Sequence, residues 1–409
     1  MADIQVRPIR DGELRTYLAM VSRAFGEELV PDEYSSLERI FEPERVVVAV
    51  DDDRVVGGGA SFSFRLTVPG GAEVGAAGVT AVGTLPTHRR RGALTKTMRW
   101  LLDDARKHED AVAVLWASEG SIYQRFGYGM GTLQAEFDIV QGRAAFRDEV
   151  PAVGATRLIE ADEAARLFPP VFDRVRARTP GFLARTPTWW ELEILADPER
   201  WRRGAGPKGF VVYEVDGRPE GYIIYRVKSE WEHGASKSTL IVRELISDSV
   251  RATRELWRFC FGHDLIQTVT AINQPPDHPL LLMLNEPRRL RFVLGEQLWL
   301  RVVDVPRALG ARSYATADRI VLELADSQLA NVAGRWLVDT TGDAPRIERT
   351  EDAADVALGV TDLACLYLGA FSSTEMAEAG RTAELTAGGR QRLDEMFAVT
   401  HKPWCANGF

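Results

Sequence analysis

A mixed α/β (α+β) chain of three domains is the fold class the sequence predicts, and three observations predict it. The first 145 residues alternate strand-like and helix-like runs. Residues 208–227 repeat the strand, acidic turn and strand already met at residues 46–62. After residue 295 the character changes again, to short strands followed by helical runs. With 409 residues, 45% of them hydrophobic, the chain can bury large cores, and its length suggests two or three domains.

The elements follow in order. RPIRDGELRTYLAMVSRAF (7–25) carries apolar residues at helical spacing. RVVVAV (45–50) is a β-branched run ended by the acidic turn DDD (51–53). RVVGGGASFSFRLTV (54–68) resumes the extended character until PGG (69–71) breaks it. AAGVTAVGTL (76–85) is a further strand, and the arginines of LPTHRRRGALTKTM (85–98) come next. A helix is expected over 92–108, with Leu94, Met98, Leu101, Leu102 and Ala105 on one face. AVAVLW (111–116) has the composition of a buried strand. SEGSIYQRFG (118–127) reads as a short helix, with Ser118 as its N-cap and Gly127 as its stop. Strand, helix, strand, helix gives the first segment, residues 1–145, its α/β character.

In the second segment, residues 146–293, helices are expected near 161–178 and 186–196. A hairpin around DGRPEG (208–227) and an amphipathic helix at 248–264 follow, echoing the first segment. In the third, residues 294–409, RIVLELAD and GRWLVDT read as strands. TDLACLYLGAFSS, STEMAEAG and TAGGRQRLDEMFAVT read as helices, which makes a small α+β domain.

A net charge of −9 argues against general nucleic-acid affinity, which needs broad basic surface to displace counterions, and fits a cationic partner better. Cys260, Cys365 and Cys405 are scattered, so neither a disulfide framework nor a metal site is expected. The N-terminus is charged throughout and no apolar run of about 18 residues occurs, so a cytoplasmic protein without a membrane span is expected.

Adjacent arginines in an acidic chain need a reason. A solvated basic turn has the same composition, but the placement here is specific: strand, short arginine-glycine turn, amphipathic helix. Free N–H groups at a helix start, with the helix dipole, favour an anion. Gly92 allows close backbone approach, and arginines screen a pyrophosphate. RRRGAL resembles the R/Q-x-x-G-x-G/A pattern of acetyl-CoA-binding acetyltransferases of the GNAT superfamily.

The pair VTAVGTLPTHRRRG and ASEGSIYQRFGYG resembles the Eis family (enhanced intracellular survival) of N-acetyltransferases. YIIYRV (222–227), LWLRVVDVPRALGARSYA (298–315), LACLYLGA (363–370) and a chain ending in Phe409 are similar to it too, so the resemblance covers essentially the whole sequence. It implies an N-terminal GNAT domain, a second GNAT-like domain and a sterol-carrier-protein-like domain, assembled as a homohexamer. It also implies acetylation of small-molecule amines, often aminoglycosides or other polyamines, with acetyl-CoA as donor. Protein lysines, another acyl-CoA, or a non-catalytic acyl-CoA- or lipid-binding role are the alternatives.

Amine acetylation by direct attack on a thioester requires that the amine lose a proton, the oxyanion find a donor and the thiolate gain a proton. By the resemblance, Val82, Gly83 and Thr84 bind acetyl-CoA through backbone groups. Arg90, Arg91, Gly92, Ala93, Leu94 and Thr95 form the pyrophosphate cradle, and Ser118 and Glu119 contact the cofactor after the next strand. Tyr123 matches the general acid, since a phenol with pKa near 10 stays protonated at neutral pH; Tyr128 is the competing residue. The carboxylate of Phe409 matches the general base, in a tail, HKPWCANGF, whose aromatic residues suit docking. The family's penultimate residue is often acidic, and Gly408 stands there, which puts the substrate range in question. Glu27 and Glu28 occupy the loop of an acidic substrate contact; Phe25, Thr80 and Ala81 complete the substrate set, and Tyr34 and Leu37 add apolar walls.

Overall fold

The computed structural model describes residues 4–409. It has two compact units. The first holds the described residues up to Thr132, Gln297–Thr400 and Asn407–Phe409; the second holds Leu133–Glu296 and His401–Ala406.

The first unit opens on a strand, β1 (Gln5–Pro8), where helical spacing was expected to begin. Gly12, at φ +77, turns the chain, and the helix α1 covers Leu14–Ala24 only. α2 (Pro31–Glu38) starts on a proline, whose missing N–H costs nothing in a first turn. β2 (Val46–Asp51) is buried along almost its whole length, as its β-branched run requires. β3 (Arg54–Thr67) and β4 (Glu73–Thr84) form a long antiparallel hairpin around the PGG turn. α3 (Ala93–Lys107) buries Met98, Leu101, Leu102 and Ala105; each large apolar side chain so buried contributes about 1.5–3 kcal/mol. Leu94, expected on that face, is only half-buried. Arg45, itself buried, bonds Asp104 at 3.0 Å and Asp110 at 2.7 Å, tying the start of β2 to the last turn of α3 and the loop after it. β5 (Val112–Trp116), α4 (Gly120–Gln124) and β6 (Gly129–Met130) complete the run.

The first sheet has the order β1-β2-β3-β4-β5, then strand Leu298–Val302, then β6. That returning strand lies in the segment assigned to the third domain, and it pairs antiparallel with β5, Leu300 opposite Val114. A second sheet in this unit runs Arg346–Arg349, Gly334–Asp339, Arg319–Ala325, Val356–Gly359 and Thr382–Glu384, with helices Val360–Tyr367, Ser373–Glu378 and Gly389–Phe397.

The second unit is a seven-stranded sheet, with Ile266–Gln274 parallel to Ser238–Ser247 and the hairpin Gly209–Val215/Arg218–Lys228 beside it. Leu133–Val140, from the segment assigned to the first domain, is one of its strands. Helices Ala161–Arg176 and Val250–Phe261 bury apolar stripes in two cores centred on Phe168 and Phe172 and on Leu256 and Trp257.

Candidate functional site

β4 and β5 are parallel neighbours only across Ala76–Gly78, which face Val112–Val114. Beyond Gly78, β4 runs on to Thr84 with β3 as its only strand partner among the described residues. A bulge helps part the strands: Ala81 has φ +50, and the β3–β4 register shifts between Gly58 and Ala60. Buried Tyr17 donates its phenol proton to the Ala81 carbonyl at 2.7 Å and fixes that bulge. Thr80, Ala81, Val82, Gly83 and Thr84 are half-buried along the opened edge. Phe25, 55% exposed, stands beside them; a Cβ built on Gly83 would lie 3.8 Å from its ring.

The arginine turn leads from this edge into α3. Arg90 (φ +61) and Gly92 (φ +85) are left-handed, the alternation that turns successive N–H groups toward one anion. No side chain caps α3, and a Cβ on Gly92 would meet nothing within 4 Å, so the helix start is open to a phosphate. Ala93 is buried, while Leu94 and Thr95 are partly exposed. Arg89 and Arg90 are exposed. Arg91 differs from the expectation of a guanidinium aimed at phosphate: its Nη1 donates to Asp51 at 2.7 Å, and His88 Nε2 faces the same carboxylate at 3.3 Å. The hydrogen bond from Arg91 holds the Asp51 carboxyl below its ordinary pKa.

After β5, Ser118 and Glu119 are exposed and lead into α4. Ser118 is not the helix N-cap. Glu119 takes that position without a side-chain bond, and Ser118 lies close enough to the Tyr123 phenol to offset part of the rise in its pKa. Tyr123 is 7% exposed, and burial pushes its phenol above the ordinary value, with the nearby Glu119 charge adding to the rise. Tyr128 lies deeper, 0% exposed, its ring edge-on to Tyr123 at 6.1 Å. Its hydroxyl has no hydrogen-bond partner among the described residues. Of the two, only Tyr123 keeps any exposure.

Phe409 is docked. Its ring meets Phe64 at 5.0 Å and Phe62 at 6.4 Å, both edge-on, and lies 3.4 Å from where a Cβ on Gly78 would be. Gly78 is the last residue of the β4–β5 pairing, so the chain terminus sits where the strands part. Gly78, Phe62 and Phe64 were not singled out in the sequence, although FSF in β3 places two rings on one face by the period of two. Glu27 and Glu28 are exposed in the turn after α1. Tyr34 bonds Glu38 at 3.1 Å and lies under Arg15, and Leu37 is half-buried in the same helix.

An opened strand edge, an uncapped helix start, a protonated phenol and a docked terminus together suit acyl transfer from a thioester carrying a pyrophosphate. Residues 5–131 and 181–302 each match the model of an acetyltransferase (GNAT) domain, and residues 305–406 that of a sterol carrier protein domain. An N-acetyltransferase of Streptomyces avermitilis, itself uncharacterized, is 39% identical over 407 residues, 99% of each chain. The N-acetyltransferase Eis of Mycobacterium bovis is 31% identical over 391 residues, 93% of each chain. The crystal structure of Eis1 from Mycobacterium abscessus has a TM-score of 0.87 at 29% identity, over 99% of this chain and 100% of that one. No helix among the described residues is long and apolar enough to cross a membrane.

Proposed function

Because the chain belongs to the Eis family of GNAT N-acetyltransferases, we propose that it acetylates the amine of a small polycation, an aminoglycoside or another polyamine, by direct attack on the thioester of acetyl-CoA. Acetyl-CoA supplies the activated acetyl group; binding, orientation and proton traffic fall to this chain.

The uncapped start of α3 holds the pyrophosphate through the backbone of Arg90, Arg91, Gly92, Ala93, Leu94 and Thr95, with the Arg90 guanidinium above it. Arg91 acts through its backbone N–H, since its side chain braces the turn on Asp51. Val82, Gly83 and Thr84 offer the free edge of β4 to the cofactor arm and to the thioester oxygen. Ser118 and Glu119 flank the thiol end. Tyr123 keeps a proton for the departing sulfur: burial holds its phenol protonated across the neutral range. The Phe409 carboxylate receives the proton of the attacking amine. Phe25, Thr80 and Ala81 line the approach of that amine, and Glu27 and Glu28 draw its charge.

One observation carries this reading: the last residue of the chain is packed at Gly78, the fork of β4 and β5. Thiol release from acetyl-CoA across a panel of amines tests it. Turnover with polyamines is expected, and no turnover with any amine would leave only a binding role. The hexamer, which the family resemblance implies, and the cytoplasmic setting, expected from the charge and hydropathy pattern, belong to the same proposal. Sedimentation should give a species near six times 45.4 kDa.

A further inference from the structure

The first unit joins a GNAT sheet to the sterol carrier protein domain, and several contacts between them fall on one short segment, residues 125–129. Arg301, on strand Leu298–Val302, is 0% exposed, and its Nη2 donates to Asp326 Oδ2 at 2.5 Å. Asp326 is held in turn by the amides of Gln328 (2.8 Å) and Leu329 (3.2 Å) on its other oxygen. Gln328 Nε2 donates to the carbonyl of Arg125, the C-cap of α4, at 3.3 Å. Gly127 ends this helical stretch at φ +82. A Cβ there would lie 2.8 Å from Arg301 Nε and from Val360 Cγ1, so the guanidinium packs close against the Gly127 backbone. At Gly129 a Cβ would strike the Thr361 carbonyl. The Tyr128 amide bonds back to the Tyr123 carbonyl at 3.3 Å.

Packing alone does not account for Arg301. Its Nε and Nη1 have no hydrogen-bond partner among the described residues, and an apolar side chain would fill a domain contact without that desolvation cost. A planar, rigid fork is what sets it apart from other long side chains. We infer that the sterol carrier protein domain is a buttress for the catalytic tyrosine, and that Arg301, Asp326 and Gln328 are positioning residues for the Tyr123 hydroxyl. The inference rests on the reading of Tyr123 as the proton donor.

Arg301→Lys tests it. Lysine keeps the charge and can keep the bond to Asp326, but it loses the close guanidinium contact with Gly127. The turnover number should fall at least about fivefold, because sub-ångström displacement of a reacting group is costly. KM for acetyl-CoA should stay within about twofold, since the α3 cradle is untouched. The Tyr123 titration, isolated as the absorbance difference between each protein and its Tyr123→Phe form, should move to lower pH as water reaches the phenol. Gln328→Ala, a partly exposed change that the fold survives, should shift both readouts in the same direction by less. A purely structural role would lower the thermal midpoint and leave the folded proteins with parental turnover and an unmoved Tyr123 titration; that result overturns the inference. If Tyr123→Phe alone retains full turnover, the proton-donor reading fails, while the titration still decides whether Arg301 fixes this side chain.

Discussion

Gly78→Ala places one methyl at the fork of β4 and β5. Gly78 is not among the glycines with positive φ, so the variant measures crowding and not backbone strain. The methyl would stand 2.4 Å from Cδ2 and Cε2 of Phe64 and 3.4 Å from the Phe409 ring. Carbon contacts are comfortable from about 3.5 Å, so the Phe64 ring must retreat by roughly 1 Å. It has little room, because it meets Phe62 at 5.8 Å and Phe409 at 5.0 Å, and Phe62 is backed by Phe41 at 5.1 Å. Overpacking of this kind costs about 1–3 kcal/mol, a fall of a few degrees in thermal midpoint. The effect on catalysis should be larger. A displacement of about 1 Å at a reacting group can cost up to about a hundredfold. Turnover in the thiol-release assay should therefore drop about 10- to 100-fold, with acetyl-CoA affinity by calorimetry unchanged. Phe64→Leu in the same chain returns the space and should recover part of the loss, a coupling that independent sites would not show. A folded Gly78→Ala protein with parental turnover would refute the idea that the seat of Phe409 matters.

Tyr123→Phe keeps the ring and deletes the proton; turnover should fall about ten- to a thousandfold. In the parent, burial holds the phenol above its ordinary value near 10, so activity should decline only at still higher pH, and steady-state profiles of both proteins check this. Gly92→Asp puts a negative charge on the open start of α3; calorimetry should show acetyl-CoA binding at least about tenfold weaker, roughly 1.4 kcal/mol, in a folded protein. His278 is buried against Phe137 and Trp257, and burial pulls its pKa down to about 3. Its Nδ1 accepts the Leu280 amide at 3.1 Å, which requires the neutral ring on that side. Between about pH 6.5 and 3 the unfolded chain takes up a proton that the native chain refuses, so stability should drop as the pH is lowered, by up to about 1.4 kcal/mol per unit. Denaturant titrations at pH 7 and 5 check it, and His278→Gln should flatten the dependence.

Much of the first segment was legible because its signals are local. The β-branched run became β2, and the apolar stripe from Met98 to Ala105 became the buried face of α3, both from composition and spacing alone. The open start of α3 was legible too, since a helix start and a glycine are written in neighbouring residues. Partners distant in sequence were not. Nothing in LWLRV says that it pairs with β5, because a buried strand's composition names no neighbour. Ser118 has the right type for a cap, yet Glu119 takes the cap position, a boundary shift of one residue that local residue type does not decide. The same holds for Arg91: an exposed-looking arginine found Asp51 forty residues away in the sequence. The acidic DDD turn reads as a strand stop, and its first residue also braces the arginine turn.

The most direct test of the account is turnover by a chain extended a few residues beyond Phe409. α-Carboxyl groups ordinarily titrate near pH 3.3–3.7. Desolvation at the fork is what would bring the basicity of the native terminus toward that of an ammonium. Extension replaces this carboxylate with a neutral amide and displaces a ring that meets Phe64 at 5.0 Å, while leaving the α3 cradle alone. The account predicts a folded protein that binds acetyl-CoA as before and turns over at least about tenfold more slowly with every amine tried. An extended enzyme as fast as the native one would show that the terminus is not the base.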